Sequence, residues 1–166
     1  MGSAAELFVE RGFHAVSMRD IAAAADLTKG ALYGHFRSKG QLLVEVIRWL
    51  IAERDQTIDF ERASAVPEEG VELMFEARSR DIRLLEVDAA AAARHDPDVA
   101  AGLAEFYLDR HKRITEAASE STDPDTAAWV ITYLQGGIGL KEAVGLPLPQ
   151  RSRLRRALAA ATEALA

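Results

Sequence analysis

The chain has no cysteine among its 166 residues, which excludes disulfides, thiolate nucleophiles and cysteine-ligated metal sites. Histidine is scarce as well. His14, His35, His95 and His111 form no i, i+4 pair and no HExxH, so no zinc motif is available. No apolar run approaches the roughly 20 residues of a membrane helix, and no secretory signal precedes the first apolar segment. The period-2 alternation of a half-buried strand is missing throughout. So are a nucleophile elbow, a phosphate-cradling glycine loop and a dinucleotide fingerprint. The carboxylates Asp96, Asp98, Glu105 and Asp109 read as caps and solvated helix faces. The expectation is a soluble, cytoplasmic, all-α protein that is not an enzyme and needs no metal or cofactor.

Acidic residues exceed basic ones, for a net charge of −6, and the imbalance is uneven along the chain. Residues 1–54 carry seven basic and six acidic side chains, a net of +1, which leaves −7 for the rest. Within residues 17–39 four basic residues face two acidic ones. An acidic C-terminal part repels polyanions and leaves the N-terminal part as the surface that could meet one.

That part is also where the local signals are densest. Ser17 is an N-cap residue ahead of Ile21, Ala22 and Ala25, which share a small apolar face at helical spacing. Asp26-Leu27 interrupts this pattern, because Asp tolerates the left-handed conformation of a tight turn. Thr28 then caps a second short helix whose Leu32 and Phe36 turn inward. Lys29, Gly30, Ala31, Tyr33 and His35 are left on the outer side. Small residues at a helix N-terminus, beside a lysine and a tyrosine, suit entry into a DNA major groove.

Ala4-Ala5-Glu6-Leu7-Phe8, Gly12-Phe13, Ser17-Met18-Arg19-Asp20-Ile21-Ala22, Leu27 to Phe36, Ser38-Lys39 and Leu42-Leu43 together resemble the TetR family of bacterial repressors. The likeness covers roughly residues 4–54, and Asp26 stands where members usually carry glycine. The resemblance implies an all-helical homodimer with an N-terminal three-helix DNA-binding head containing a helix-turn-helix. A C-terminal helical bundle would sense a ligand and dimerise. It places the head at 1–44 and the body at 45–166. It also implies that Thr28, Lys29, Gly30, Ala31, Tyr33, His35 and Lys39 form the DNA-binding set. Tyr33, His35 and Lys39 would lie on phosphates. A phenol, an imidazole and an ammonium are all phosphate donors, and Lys29 is the candidate for reading a guanine.

Beyond the head, Ser38 caps a fourth helix with an apolar stripe through Leu42, Leu43, Val46, Ile47, Leu50 and Ile51. Continued to about residue 60, it would span roughly 35 Å. Further helices are expected at about 67–79, 81–95, 97–120, 124–145 and 150–165, separated by Asp96-Pro97, Asp123-Pro124 and the segment Gly145 to Pro149. Met74, Phe75, Arg78, Tyr107, His111, Trp129 and Tyr133 are the candidate ligand-binding residues. Tyr107, His111, Trp129 and Tyr133 combine apolar bulk with a polar tip, and Arg78 could meet an acidic group. Ala128, Ile131, Gln135, Ile138 and Glu142, relieved by Gly136, Gly137 and Gly139, are expected to form a dimer face with Leu154, Leu158, Ala161 and Leu165. The functional expectation is a repressor that leaves a palindromic operator when a small, mainly apolar effector binds. The competing expectation is a helical ligand-sensing or interaction module that has lost DNA binding.

Overall fold

The computed structural model describes residues 1–57, 67–117 and 123–164, with side chains at 1–56, 71–117 and 123–160. The described residues form only helices: α1 (Gly2–Arg11), α2 (Met18–Ala24), α3 (Lys29–His35), α4 (Lys39–Thr57), α5 (Pro67–Met74), α6 (Ala77–Ala93), α7 (Pro97–Ala117), α8 (Pro124–Ala143) and α9 (Arg151–Ala164). The expected extension of α4 beyond Thr57, the end of the 97–120 helix, Leu165 and the Ala161 side chain lie outside the described residues.

Local chemistry accounts for the helix starts. Ser17 Oγ accepts from Asp20 N at 3.2 Å while an Asp20 carboxylate oxygen accepts from Ser17 N at 2.9 Å, a reciprocal cap on α2. The Ser17 hydroxyl and amide, with Arg11 and Arg19 nearby, hold the Asp20 carboxyl below its ordinary acidity range. Thr28 Oγ1 caps α3 through Ala31 N. Ser38 Oγ accepts from Gln41 N at 3.0 Å, and Gln41 Oε1 accepts in return from Arg37 N. Between α2 and α3, Asp26 takes a φ of 55°, and Leu27 N closes back on Ala22 O at 2.8 Å. This is the left-handed turn that the sequence leads one to expect, made by aspartate in place of glycine.

α6 lies at the centre, packed on α4, α7 and α8, and it also touches α1. One apolar core runs without interruption from the head (Phe8, Ile21, Leu32) through the α4 stripe into Ile82, Leu85, Val99 and Phe106 of the body. Glycines let the helices approach one another. A Cβ on Gly40 would stand 2.3 Å from Val99 Cγ2, and one on Gly139 would stand 3.1 Å from Arg83 Cβ.

Two expectations need correction. The break expected near residue 80 falls at Phe75–Glu76. The stripe assigned to a dimer face is internal to the subunit. Ile138 packs with Val71, Met74, Leu154 and Leu158, and Ala128 packs with Ile114 and Ile131. Glu142 makes a buried two-pronged ion pair with Arg83, at 2.8 and 3.0 Å. Helix α8 is apolar on nearly all sides, so each of its faces satisfies a helical period. The face that remains open carries Tyr133, Leu140 and Val144, at 69%, 57% and 69% exposure.

Candidate nucleic-acid interface and ligand cavity

In α3 only Leu32 is buried; Lys29, Gly30, Ala31, Tyr33, Gly34 and His35 all face outward, as does the capping Thr28. The Lys29 ammonium lies over the Tyr33 ring, 5.6 Å from its centre, one helical turn along. The two glycines answer to no internal need. A Cβ on Gly34 would meet nothing within 4 Å, and one on Gly30 only Thr28 Oγ1 at 3.9 Å. Glycine in a helix costs about 1 kcal/mol relative to alanine, and packing among the described residues accounts for neither position.

Beside this face is a cleft of about 410 Å³ lined by His14, Ser17, Arg19, Lys29, Tyr33 and Lys39. His14 and Arg19 were not among the expected site residues. Both precede or open α2, and only the fold brings them to α3. Lys39 plays a more internal part than a phosphate donor would. Its Nζ donates to Phe13 O and Val16 O, each at 2.8 Å, and stands 4.2 Å from the centre of the Phe13 ring. Burial lowers the ammonium's proton affinity. One of its three donors remains for an outside acceptor. The Phe13 peptide is held on its other side too, since Phe13 N donates to Asp88 Oδ2 of α6 at 2.8 Å.

In the body, α6, α7 and α8 enclose a largely apolar cavity of about 330 Å³, open on one side. Of the expected ligand-binding residues, Tyr107, Trp129 and Tyr133 line it. Trp129 and Tyr133 stack, with ring centres 5.3 Å apart and planes 20° apart. His111 stands behind Trp129, 4.4 Å between ring centres, with its Nε2 2.8 Å from Asp125 Oδ1. The remaining three lie elsewhere. Met74 and Phe75 belong to the α5–α9 cluster, and Arg78 is an exposed side chain 4.0 Å from Glu53. They were chosen for bulk and charge, which core packing and a surface pair account for.

The polar floor of the cavity was missed: Glu86 on α6, Arg110 on α7, and Thr132 and Gln135 on α8. A signal for the first two exists. Glu86 falls inside the apolar stripe Ile82, Leu85, Ala89, and Arg110 inside Val99, Leu103, Phe106, Ile114. A charge at a core position of a helix is worth a search for its partner. Arg110 Nη2 donates to Gln135 Oε1. Burial pulls the Arg110 proton affinity down, and the Glu86 and Asp55 carboxylates oppose it. Burial pushes the Glu86 carboxyl up, against Arg110, Arg54 and Arg83. It pushes the Tyr107 phenol up as well, helped by Glu86. Among the described residues no cluster of three metal-ligating side chains occurs.

Comparison with known proteins bears on both regions. The family model for "Bacterial regulatory proteins, tetR family" matches residues 1–46. The HTH-type transcriptional repressor KstR2 of Mycolicibacterium smegmatis is 43% identical over 60 residues, 34% of this chain and 29% of that protein. The HTH-type transcriptional regulator UidR of Escherichia coli K12 is 32% identical over 125 residues, 72% of this chain and 61% of that one. The matched stretch thus spans less than a third of the KstR2 repressor, at 29%, and under two thirds of UidR, at 61%. A transcriptional regulator from Rhodococcus sp. Rha1 shares the fold at a TM-score of 0.71, covering 99% of this chain and 92% of that one at 19% identity. The multidrug binding protein EbrR, complexed with ethidium, also scores 0.71, covering 96% and 93% at 18% identity.

Proposed function

We propose that this chain, whose residues 1–46 match the family model for bacterial regulatory proteins of the tetR family, is a TetR-family transcriptional repressor controlled by a small molecule. Its curated relatives carry the names of transcriptional regulators and not of enzymes. The observation that carries the reading is α3: a helix whose every residue but Leu32 faces outward, with two glycines its own subunit does not need. In this proposal residues 1–44 are the DNA-binding head and 45–166 the ligand-binding and dimerisation body. Lys29 reads a base edge, Gly30 and Ala31 give clearance, and Thr28, Tyr33, His35 and Lys39 position the phosphate backbone. Action on DNA puts the protein in the cytoplasm, and no helix among the described residues is long and apolar enough to cross a membrane.

A palindromic operator needs two heads with a spacing of about 34 Å or a multiple of it. The proposed partner is a second copy of this chain, seated on the open face of α8. The spacing of Tyr133, Gly136, Gly137, Leu140 and Val144 makes that face continuous. Gly136 and Gly137 again have nothing within 4 Å of a built Cβ, leaving room for close approach. The unmutated chain should sediment as a dimer at tens of micromolar, and a Leu140→Glu, Val144→Glu double variant as a folded monomer. A dimeric double variant would move the interface elsewhere.

The effector cavity touches α6, and α6 reaches the head through Asp88 and Phe13. A molecule that spreads α6, α7 and α8 would therefore tilt the heads and break their spacing. EbrR, of the same fold, holds ethidium, which supports a small-molecule site in a body of this shape. The test is an electrophoretic shift on the DNA upstream of the chain's own coding region. A retarded band is expected. Its absence at micromolar protein would leave a sensing module without DNA binding.

The helix glycines give a sharper check. Gly34→Ala and Gly30→Ala should each raise stability by about 1 kcal/mol, or roughly 2–4 °C in melting temperature. Gly30→Ala, at the end of α3 proposed to enter the groove, should weaken operator binding more than Gly34→Ala. Equal affinity for both variants would mean that α3 does not enter the groove by its N-terminus.

A further inference from the structure

We propose that the cavity between α6, α7 and α8 is a receptor for an organic monocation, its charge against Glu86 and its apolar or aromatic body among Tyr107, Trp129 and Tyr133. This rests on reading the cavity as the effector site, and it names the effector's chemical class.

The acids that point into the body, Glu142 buried and Asp55 and Glu86 half-buried, differ in one respect. Glu142 is bonded by Arg83, and Asp55 is bonded by Arg54 and lies 3.3 Å from Arg113. Glu86, half-buried and lining the cavity, makes no hydrogen bond among the described residues, and Arg110, Arg54 and Arg83 act on it through their charge alone. A carboxylate partly taken out of water is stabilised by a directly opposed cation, and Glu86 borders the cavity from which one can approach. The opposite choice, an anion on Arg110, fits less well. The residue is only 6% exposed, its Nη2 is committed to Gln135, and its Nη1 has essentially no exposed surface. The accessible charge in the cavity is therefore negative. The walls match. Stacked Trp129 and Tyr133, with Tyr107, supply ring faces that attract a cation and shed water around its body. A volume of about 330 Å³ suits a ligand of one or two rings.

Binding should be linked to protons. The groups around Glu86 are Arg54 and Asp55 on α4, Arg83 on its own helix, and Tyr107 and Arg110 on α7, while α8 contributes the uncharged Gln135. His111, one ring further out, is held by Asp125. Burial favours the neutral acid and a bound cation favours the carboxylate. Lower pH should therefore weaken the cation and leave an uncharged ligand unaffected.

The test is calorimetric titration of the full chain with benzyltrimethylammonium, its uncharged isostere neopentylbenzene, and phenylacetate. The cation should bind about tenfold or more tightly than the isostere. Glu86→Gln should remove that preference while neopentylbenzene binds as before. If the variant does not fold, the unmutated chain decides. Its affinity for the cation should fall by up to about tenfold per pH unit on acidification, with neopentylbenzene flat. Phenylacetate binding best, a preference that survives Glu86→Gln, or a pH-independent preference each overturns the proposal. If the chain shifts its upstream DNA yet binds none of the three probes, the cation receptor is wrong and the repressor reading stands. If Glu86-dependent cation binding occurs without any DNA shift, the receptor stands and the repressor reading fails.

Discussion

Replacing Glu142 by Ala should lower the stability of the folded chain by about 3 kcal/mol, near the low end for breaking a buried ion pair. The side chains of Arg83 and Glu142 are 5% and 6% exposed, and two hydrogen bonds join them. Without Glu142 the guanidinium keeps its desolvation cost and loses its partner. Glu86 lies close enough to Arg83 to feel its charge, and that residual attraction is the reason for the low end. For a chain of this length the melting temperature should fall by roughly 10 °C. The double variant Arg83→Met, Glu142→Leu removes both charges at similar volume and should lie within about 1–2 kcal/mol of the parent. A double variant as unstable as Glu142→Ala would show that packing of α6 on α8, and not the uncompensated charge, sets the loss.

Gly40→Ala should be the most damaging glycine-to-alanine change among the described residues. The added carbon would stand 2.3 Å from Val99 Cγ2 and 2.6 Å from Asp96 Oδ2. Neither neighbour can yield. Val99 is fully buried, and the Asp96 carboxylate caps α7 through Asp98 N and Val99 N, at 3.0 and 3.2 Å. Alanine's better helix propensity returns about 1 kcal/mol, while overpacking of this severity costs about 3 or more. The net expectation is a loss of about 2 kcal/mol. Relief requires α4 to back away from α7, carrying Lys39 and the loop it holds. Operator affinity should then fall even where the variant is fully folded, as judged by circular dichroism. An unchanged melting temperature would contradict the packing of α4 on α7.

The head was legible in the sequence because its determinants are local. Ser17, Thr28 and Ser38 each act within three residues, and Asp26 needs only its own φ. The proline boundaries at 97 and 124 were legible for the same reason. The break at Phe75–Glu76 has no glycine or proline to announce it, and the contacts of α5 with α9 and α6 accompany it. The inner face of α8 was misread because both sides of that helix are apolar. Which side meets α6 depends on Gly139 fitting against Arg83, a fact about two helices 56 residues apart in the chain. The cavity's aromatic walls could be named from residue type. Its floor could not, because Glu86 and Arg110 gain meaning only when α6, α7 and α8 converge.

Helix α3 buries one side chain, Leu32, against the rest of the subunit. Apart from the two glycines, substitutions at its other positions fall on exposed surface, where most changes alter stability by no more than about 0.5 kcal/mol. Selection for folding is thus nearly blind to the residues that would choose an operator. Descendants of such a chain can drift to new binding sequences by single steps, with no intermediate that fails to fold. The scaffold keeps its form while its address changes.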